Sequence, residues 1–207
     1  MRDRDLVRLY WPVELRPAFD ALFGIDDALA EIVTSSTQPA LGAIRLAWWR
    51  EALERLDRAL PPPEPRLLAA ADVLLPRGIS GAMLARLAEG WAGMLDEVPE
   101  MTLLEERGAR LFEMAARLLN VEFEDETHGA AGRLFAGIDA GRRGMMDVVA
   151  GRPGSGGRRI ARRARPITGL AALAARDLRR GGPPFEPEAT PARAWILLRH
   201  RMFGMIP

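Results

Sequence analysis

Two residue types are missing from this 207-residue chain: it has no cysteine, and its 29 basic residues are all arginine because it has no lysine. The first absence excludes disulfides, zinc–thiolate sites and thiol nucleophiles, and leaves the redox compartment open. The second removes Schiff-base chemistry, a lysine general base and the lysine of a P-loop. A GC-rich coding sequence explains uniform arginine better than function does, since exposed positions gain nothing from a bidentate fork. Histidine is nearly absent too. His128 and His200 stand far apart, outside any ligand pattern, so metal binding through them is not expected. No apolar run reaches 18 residues, so no spanning helix is expected. The start, MRDRDLVRLYWP, carries acids and lacks the apolar stretch of a secretory signal, which makes the cytoplasm the expected location. Alternating β-type segments of five or more residues are missing as well.

Hydrophobic residues make up 48% and charged residues 28%, a globular balance in a length that suits a single domain over residues 1–207. The net charge of +1 hides an asymmetry. Residues 1–103 carry 11 Arg against 16 Asp and Glu, a net of −5; residues 104–207 carry 18 against 12, a net of +6. Helical spacing dominates. Helices are expected over about 14–33, 41–60, 66–75, 81–96, 102–120, 127–141, 167–180 and 192–203, eight in all. Pro17 fits the first turn of the first helix, and the prolines at 61–63 and 65 follow the second. Ser80 reads as an N-cap, and Thr102 with Glu105 as a capping box. Residues 151–166, GRPGSGGRRIARRARP, form an Arg/Gly-rich loop within the domain.

The segment ALFGIDDALAE, residues 21–31, is the most suggestive one. Asp26 interrupts the apolar stripe Phe19, Leu22, Leu29, Val33, where a carboxylate costs several kcal/mol unless it is paired or bound to metal. Asp27 and Glu31 are one turn apart and share a side of the helix. They could bridge Mg²⁺ and through it phosphate; equally, both could be solvated while Asp26 pairs with a buried arginine. In LGAIRLAWWREALERL, residues 41–56, Trp48 and Trp49 point about 100° apart. One faces the core, while Arg45 and Arg50 pair with acids elsewhere.

These two segments together, with DRDLVRLYWP before them, resemble the N-terminal third of the squalene/phytoene synthase family. Its DDxxD-type motif falls on Asp26, Asp27, Ala30 and the following Glu31, and its Trp–Arg helix on Leu46, Trp49, Arg50 and Leu53. The resemblance implies an all-α helical bundle of the isoprenoid-synthase type, in which two acidic motifs hold Mg²⁺ on prenyl diphosphates inside an apolar cavity. It assigns metal binding to Asp26, Asp27, Glu31 and Asp139, diphosphate contact to Arg45 and Arg50, and the cavity wall to Phe23 and Trp49. The sequence departs from the family pattern at Ala30, where an acid is expected. It departs again in GRLFAGIDAGRRG, residues 132–144, whose sole acid is Asp139, with Asp147 eight residues on. The chain is also short for the family. That combination is similar to a degenerate branch that includes a mitochondrial assembly factor for respiratory complex I. It implies a protein that binds a prenyl or lipid ligand, or a protein partner, without turnover; the alternative is an active Mg²⁺-dependent transferase.

The arginines from Arg152 to Arg165 read as a solvated loop with scattered pairing to the acidic N-terminal half; the alternative is peripheral contact with an acidic membrane surface, ahead of nucleic acid, since no aromatic residues are interleaved and no RNA- or DNA-binding signature accompanies them. The last helix could be interfacial or could dock as core. Ser155 lies in a glycine-rich run with no strand before it, so a hydrolase elbow is rejected.

Overall fold

A computed structural model describes residues 1–146 and 159–206. Asp147, Arg152, Ser155 and most of the Arg/Gly-rich run lie outside the described residues. Among the described residues there is no strand. The order is α1 (Asp3–Arg8), α2 (Arg16–Ser35), α3 (Pro39–Arg55), α4 (Pro65–Val73), α5 (Gly81–Ala92), α6 (Met101–Leu118), α7 (Ala130–Arg142), α8 (Arg165–Arg179) and α9 (Pro191–Phe203). Short 3₁₀ turns precede α2 and follow α4, and a π turn, Asp125–Gly129, leads into α7. The helix with no counterpart in the sequence reading is α1, which is too short to show a period.

The stripe of α2 does what its spacing predicts. Phe19, Leu22, Ile25, Leu29 and Ile32 are all buried, and each such side chain contributes about 1.5–3 kcal/mol by leaving water. α3 ends at Arg55, earlier than its pattern suggests. The cause is Asp57, whose carboxylate leaves the helix line to accept the amides of Gly81 (2.6 Å) and Ala82 (2.9 Å) at the start of α5. Ser80 caps the same helix as expected, accepting from the Met83 amide at 3.1 Å. Thr102 does not act as a cap. α6 starts one residue before it, because the amide of Leu104 already bonds the Glu100 carbonyl.

Close crossings order the middle of the bundle. α6 packs most extensively on α7, and α5 on both α3 and α6. Gly108 of α6 and Gly132 of α7 lie backbone to backbone; a Cβ on either would fall far inside contact distance of the other's carbonyl. Gly90 of α5 likewise lies against the Cβ of Arg107 and the Leu103 carbonyl. These approaches hold α6 against both α5 and α7, and α2 packs on α5 and, more lightly, on α6. α8 closes on α7, and α9 on α8. No helix among the described residues is long and apolar enough to cross a membrane.

Candidate functional site

Four helices, α1, α2, α6 and α7, point charged side chains at one place, and α5 adds the indole of Trp91. Asp26 comes from the buried stripe of α2 and is only 2% exposed. A charge so deep needs partners, and it has two. Arg107 of α6 donates from Nη1 to both carboxylate oxygens at 2.8 Å, and Trp91 of α5 donates its indole N–H at 2.9 Å. Arg107 is itself fully buried, with its guanidinium stacked 4.0 Å from the Trp91 ring centroid. Its Nη2 reaches Asp139 of α7 at 3.4 Å, and its Nε has no hydrogen-bond partner.

Asp27, the next residue, emerges on the other side of α2. Arg4 of α1 donates to its Oδ1 at 2.7 Å, and Arg143, just past the end of α7, donates to the same oxygen at 2.8 Å. Burial pushes this carboxyl upward, but the two guanidiniums outweigh it and hold it below the ordinary carboxylate value. Arg143 also bonds Asp139 through Nε at 3.1 Å, one turn back. Burial works to lower the pKa of Arg143, and Asp139 and Asp27 more than reverse that. Three carboxylates thus meet three guanidiniums, those of Arg4, Arg107 and Arg143. Arg2, largely exposed, adds a looser contact to Asp27 at 3.8 Å.

A cavity of about 380 Å³ opens beside this cluster, between α1, α7 and α8. Its polar wall includes Arg2, Arg4, Asp139 and Arg143; its apolar wall includes Phe135, Leu170 and Leu173. The far side is held by a second buried network. Arg193 of α9 donates through Nε to Asp3 at 2.9 Å and through Nη1 to Asp177 at 2.5 Å, and Arg142 also bonds Asp177 at 2.8 Å.

The residues expected from sequence divide cleanly. Asp26, Asp27 and Asp139 are brought together. Glu31 is not: it points outward to Arg66 at 2.9 Å. Arg45 and Arg50 lie exposed on the outer face of α3, away from the cluster. Trp49 is buried but packs edge-to-face on Trp48, with centroids 5.7 Å apart, rather than on the cavity. Phe23 sits one layer behind the cavity wall, touching Phe135, with the Arg4 guanidinium 5.1 Å from its ring centroid. The sequence reading missed Arg4, Trp91, Arg107 and Arg143. One signal was available: Arg107 interrupts the apolar stripe Leu104, Leu111, Ala115, Leu118 just as Asp26 interrupts its own.

Chemically, the carboxylates are a poor set for a hard cation. Mg²⁺ requires near-octahedral oxygen ligands at about 2.0–2.1 Å. Here both oxygens of Asp26, Oδ1 of Asp27 and Oδ2 of Asp139 already accept from arginine. No group of three or more His, Asp or Glu among the described residues is placed to hold a metal ion.

The squalene/phytoene synthase family model matches residues 2–134, well over half of the chain. The match takes in Arg4, Asp26, Asp27, Trp91 and Arg107, and stops within α7 before Asp139. No curated protein and no solved structure matches the chain.

Proposed function

The chain belongs to the squalene/phytoene synthase family, and within it we propose a member that works by binding an amphiphilic ligand, a prenyl or lipid chain with an acidic head, rather than by turning it over. The observation that carries this reading is the pairing of Asp26, Asp27 and Asp139 with Arg4, Arg107 and Arg143. In the family's reaction, acidic motifs hold the metal that neutralises departing diphosphate, a stabilisation worth several kcal/mol. In this chain arginine supplies the acids' counter-charge and occupies both oxygens of Asp26 and one oxygen each of Asp27 and Asp139, which disfavours Mg²⁺ at this cluster. Arg2, Arg4 and Arg143 face the cavity and suit an anionic head, and Phe135, Leu170 and Leu173 suit the tail. The likeness to the degenerate branch with the complex I assembly factor agrees with this assignment.

A second reading, an active Mg²⁺-dependent transferase, has one observation in its favour: the three acids do converge. The two readings predict opposite signs for one substitution. Asp27→Asn removes the acid opposing Arg4 and Arg143. If the site is a metal-free anion pocket, farnesyl diphosphate binds about fivefold more tightly, matching roughly 1 kcal/mol of relieved repulsion. If Asp27 is a metal ligand, binding weakens and turnover disappears. Calorimetry with and without Mg²⁺, with product analysis on the same samples, distinguishes them. The expected result is Mg²⁺-independent binding without diphosphate release; Mg²⁺-dependent binding with release overturns the proposal.

A further inference from the structure

α9 has two apolar faces, and only one of them is used. Ile196 and Leu197 pack inward with Arg193 and His200. Trp195, Leu198 and Met202 form a second stripe at i, i+3, i+7 that faces solvent, exposed by 59%, 40% and 56%. Phe203 and Met205 extend it, 40% and 48% exposed. A helix docked only as core would carry polar residues there.

The surroundings of this stripe are basic. Arg199 lies on it and Arg201 beside it, the latter 4.8 Å from the Tyr10 ring centroid. The start of α8 and the stretch before it are fastened to the end of α9. Arg165 donates to the carbonyls of Arg201 and Met202 at 2.7 and 3.1 Å, and the Ile160 amide bonds the Gly204 carbonyl at 2.8 Å. That attachment brings exposed Arg162 into one cavity wall with Leu198, Arg201 and Met202, and Arg163, next in the chain, is exposed as well. Residues 159–176 and 189–207 contain no Asp or Glu. Among the described residues no carboxylate pairs with Arg162, Arg163, Arg199 or Arg201, whereas the buried arginines of the central cluster are all matched. An open cavity of about 490 Å³, walled by Tyr10, Arg162, Arg165, Leu198, Arg201 and Met202, joins the basic and apolar parts.

We propose that this face docks the protein onto a membrane surface rich in anionic lipid. Trp195, Leu198 and Met202 enter the boundary between headgroups and acyl chains. Arg162, Arg163, Arg199 and Arg201 meet the lipid phosphates. The charge chooses this occupant: a second copy would oppose its own unpaired arginines, and an RNA backbone would leave the apolar stripe in water. At 13 residues α9 is about 20 Å long, which fits a helix lying in the interface rather than spanning it.

The test is flotation of the full chain with vesicles of phosphatidylcholine alone or mixed with phosphatidylglycerol, alongside gel-shift titration with polyuridylate. The expected result is binding to the mixed vesicles that falls with salt, little binding to phosphatidylcholine, and none to the RNA. R199Q/R201Q should lower partitioning by at least tenfold, at roughly fivefold per arginine. Trp195→Ser should weaken binding and reduce fluorescence quenching by acyl-brominated lipid. All three side chains are exposed, so circular dichroism should be unchanged; should a variant unfold, the lipid and salt dependence of the unaltered chain still decides. Absence of vesicle binding, binding indifferent to lipid charge, wild-type binding by both folded variants, or tighter binding to RNA overturns the proposal.

Discussion

Asp26 and Arg107 are each buried so deeply that an unpaired charge at either position would be costly. Their contact, with Trp91 completing it, turns two local liabilities into one neutral unit. Such a pair adds little net stability over apolar residues of the same shape, but losing one partner leaves an uncompensated charge. Arg107→Met should therefore cost about 3–5 kcal/mol in urea unfolding. Adding Asp26→Leu should recover most of that loss, leaving the double variant within about 2 kcal/mol of the parent. A double variant no more stable than the single one would show that Asp26 is held chiefly by something other than Arg107. Both interrupted stripes were readable as sequence; that they interrupt each other was not, since 81 residues separate them.

Among the elements, the crossing of α6 and α7 decides the geometry of the site, because it carries Arg107 and Asp139 toward each other. Gly108 and Gly132 permit it. Gly108→Ala should destabilise by about 1–3 kcal/mol or more, since backbone cannot yield as a side chain does. Gly24, inside α2, is the control: a Cβ there meets nothing within 4 Å. Gly24→Ala should stabilise by about 0.5–1 kcal/mol through helix propensity and a less free unfolded chain. Chemical denaturation of both variants checks the contrast, and equal effects would contradict the packing. Helix positions followed from spacing and proline placement, and the end of α3 did not. Asp57 serves a cap across the bundle, and a partner that far away leaves no local mark.

At the scale of the whole molecule, the acidic first half and basic second half are two sides of one set of pairings. Asp26 and Asp27 meet Arg107 and Arg143, and Asp3 meets Arg193, drawing α1 against α9. Stability should accordingly depend on pH in a defined direction. His200 is buried. Its Nδ1 faces the Met205 carbonyl at 2.9 Å and so carries the proton, while Nε2 at 2.9 Å accepts from the Thr168 hydroxyl. Burial lowers its pKa from 6.5, opposed by the Met205 contact. The unfolded chain then binds the proton first, so stability is fully present above about pH 6.5 and is lost as pH falls below it toward the folded value. Asp27, also depressed, adds a further loss below its ordinary value of 3.8. Melting temperatures should fall between pH 7.5 and 5.5, and His200→Gln should flatten that interval; a flat profile in the parent would contradict a buried neutral imidazole.

The amino-acid order by itself determined the helical class, the buried stripes, most helix ends and the family likeness, because these depend on residues within a few turns of one another. It also placed Asp26, Asp27 and Asp139 among the residues of interest. What only the tertiary structure decided is what those acids face. Arg4, Arg107 and Arg143 bond them, while Arg45 and Arg50 lie exposed on α3 and Glu31 turns outward to Arg66. The reason is physical. Helical period fixes the direction of a side chain about its own axis, but the partner of a buried charge depends on which other helix crosses there and at what distance.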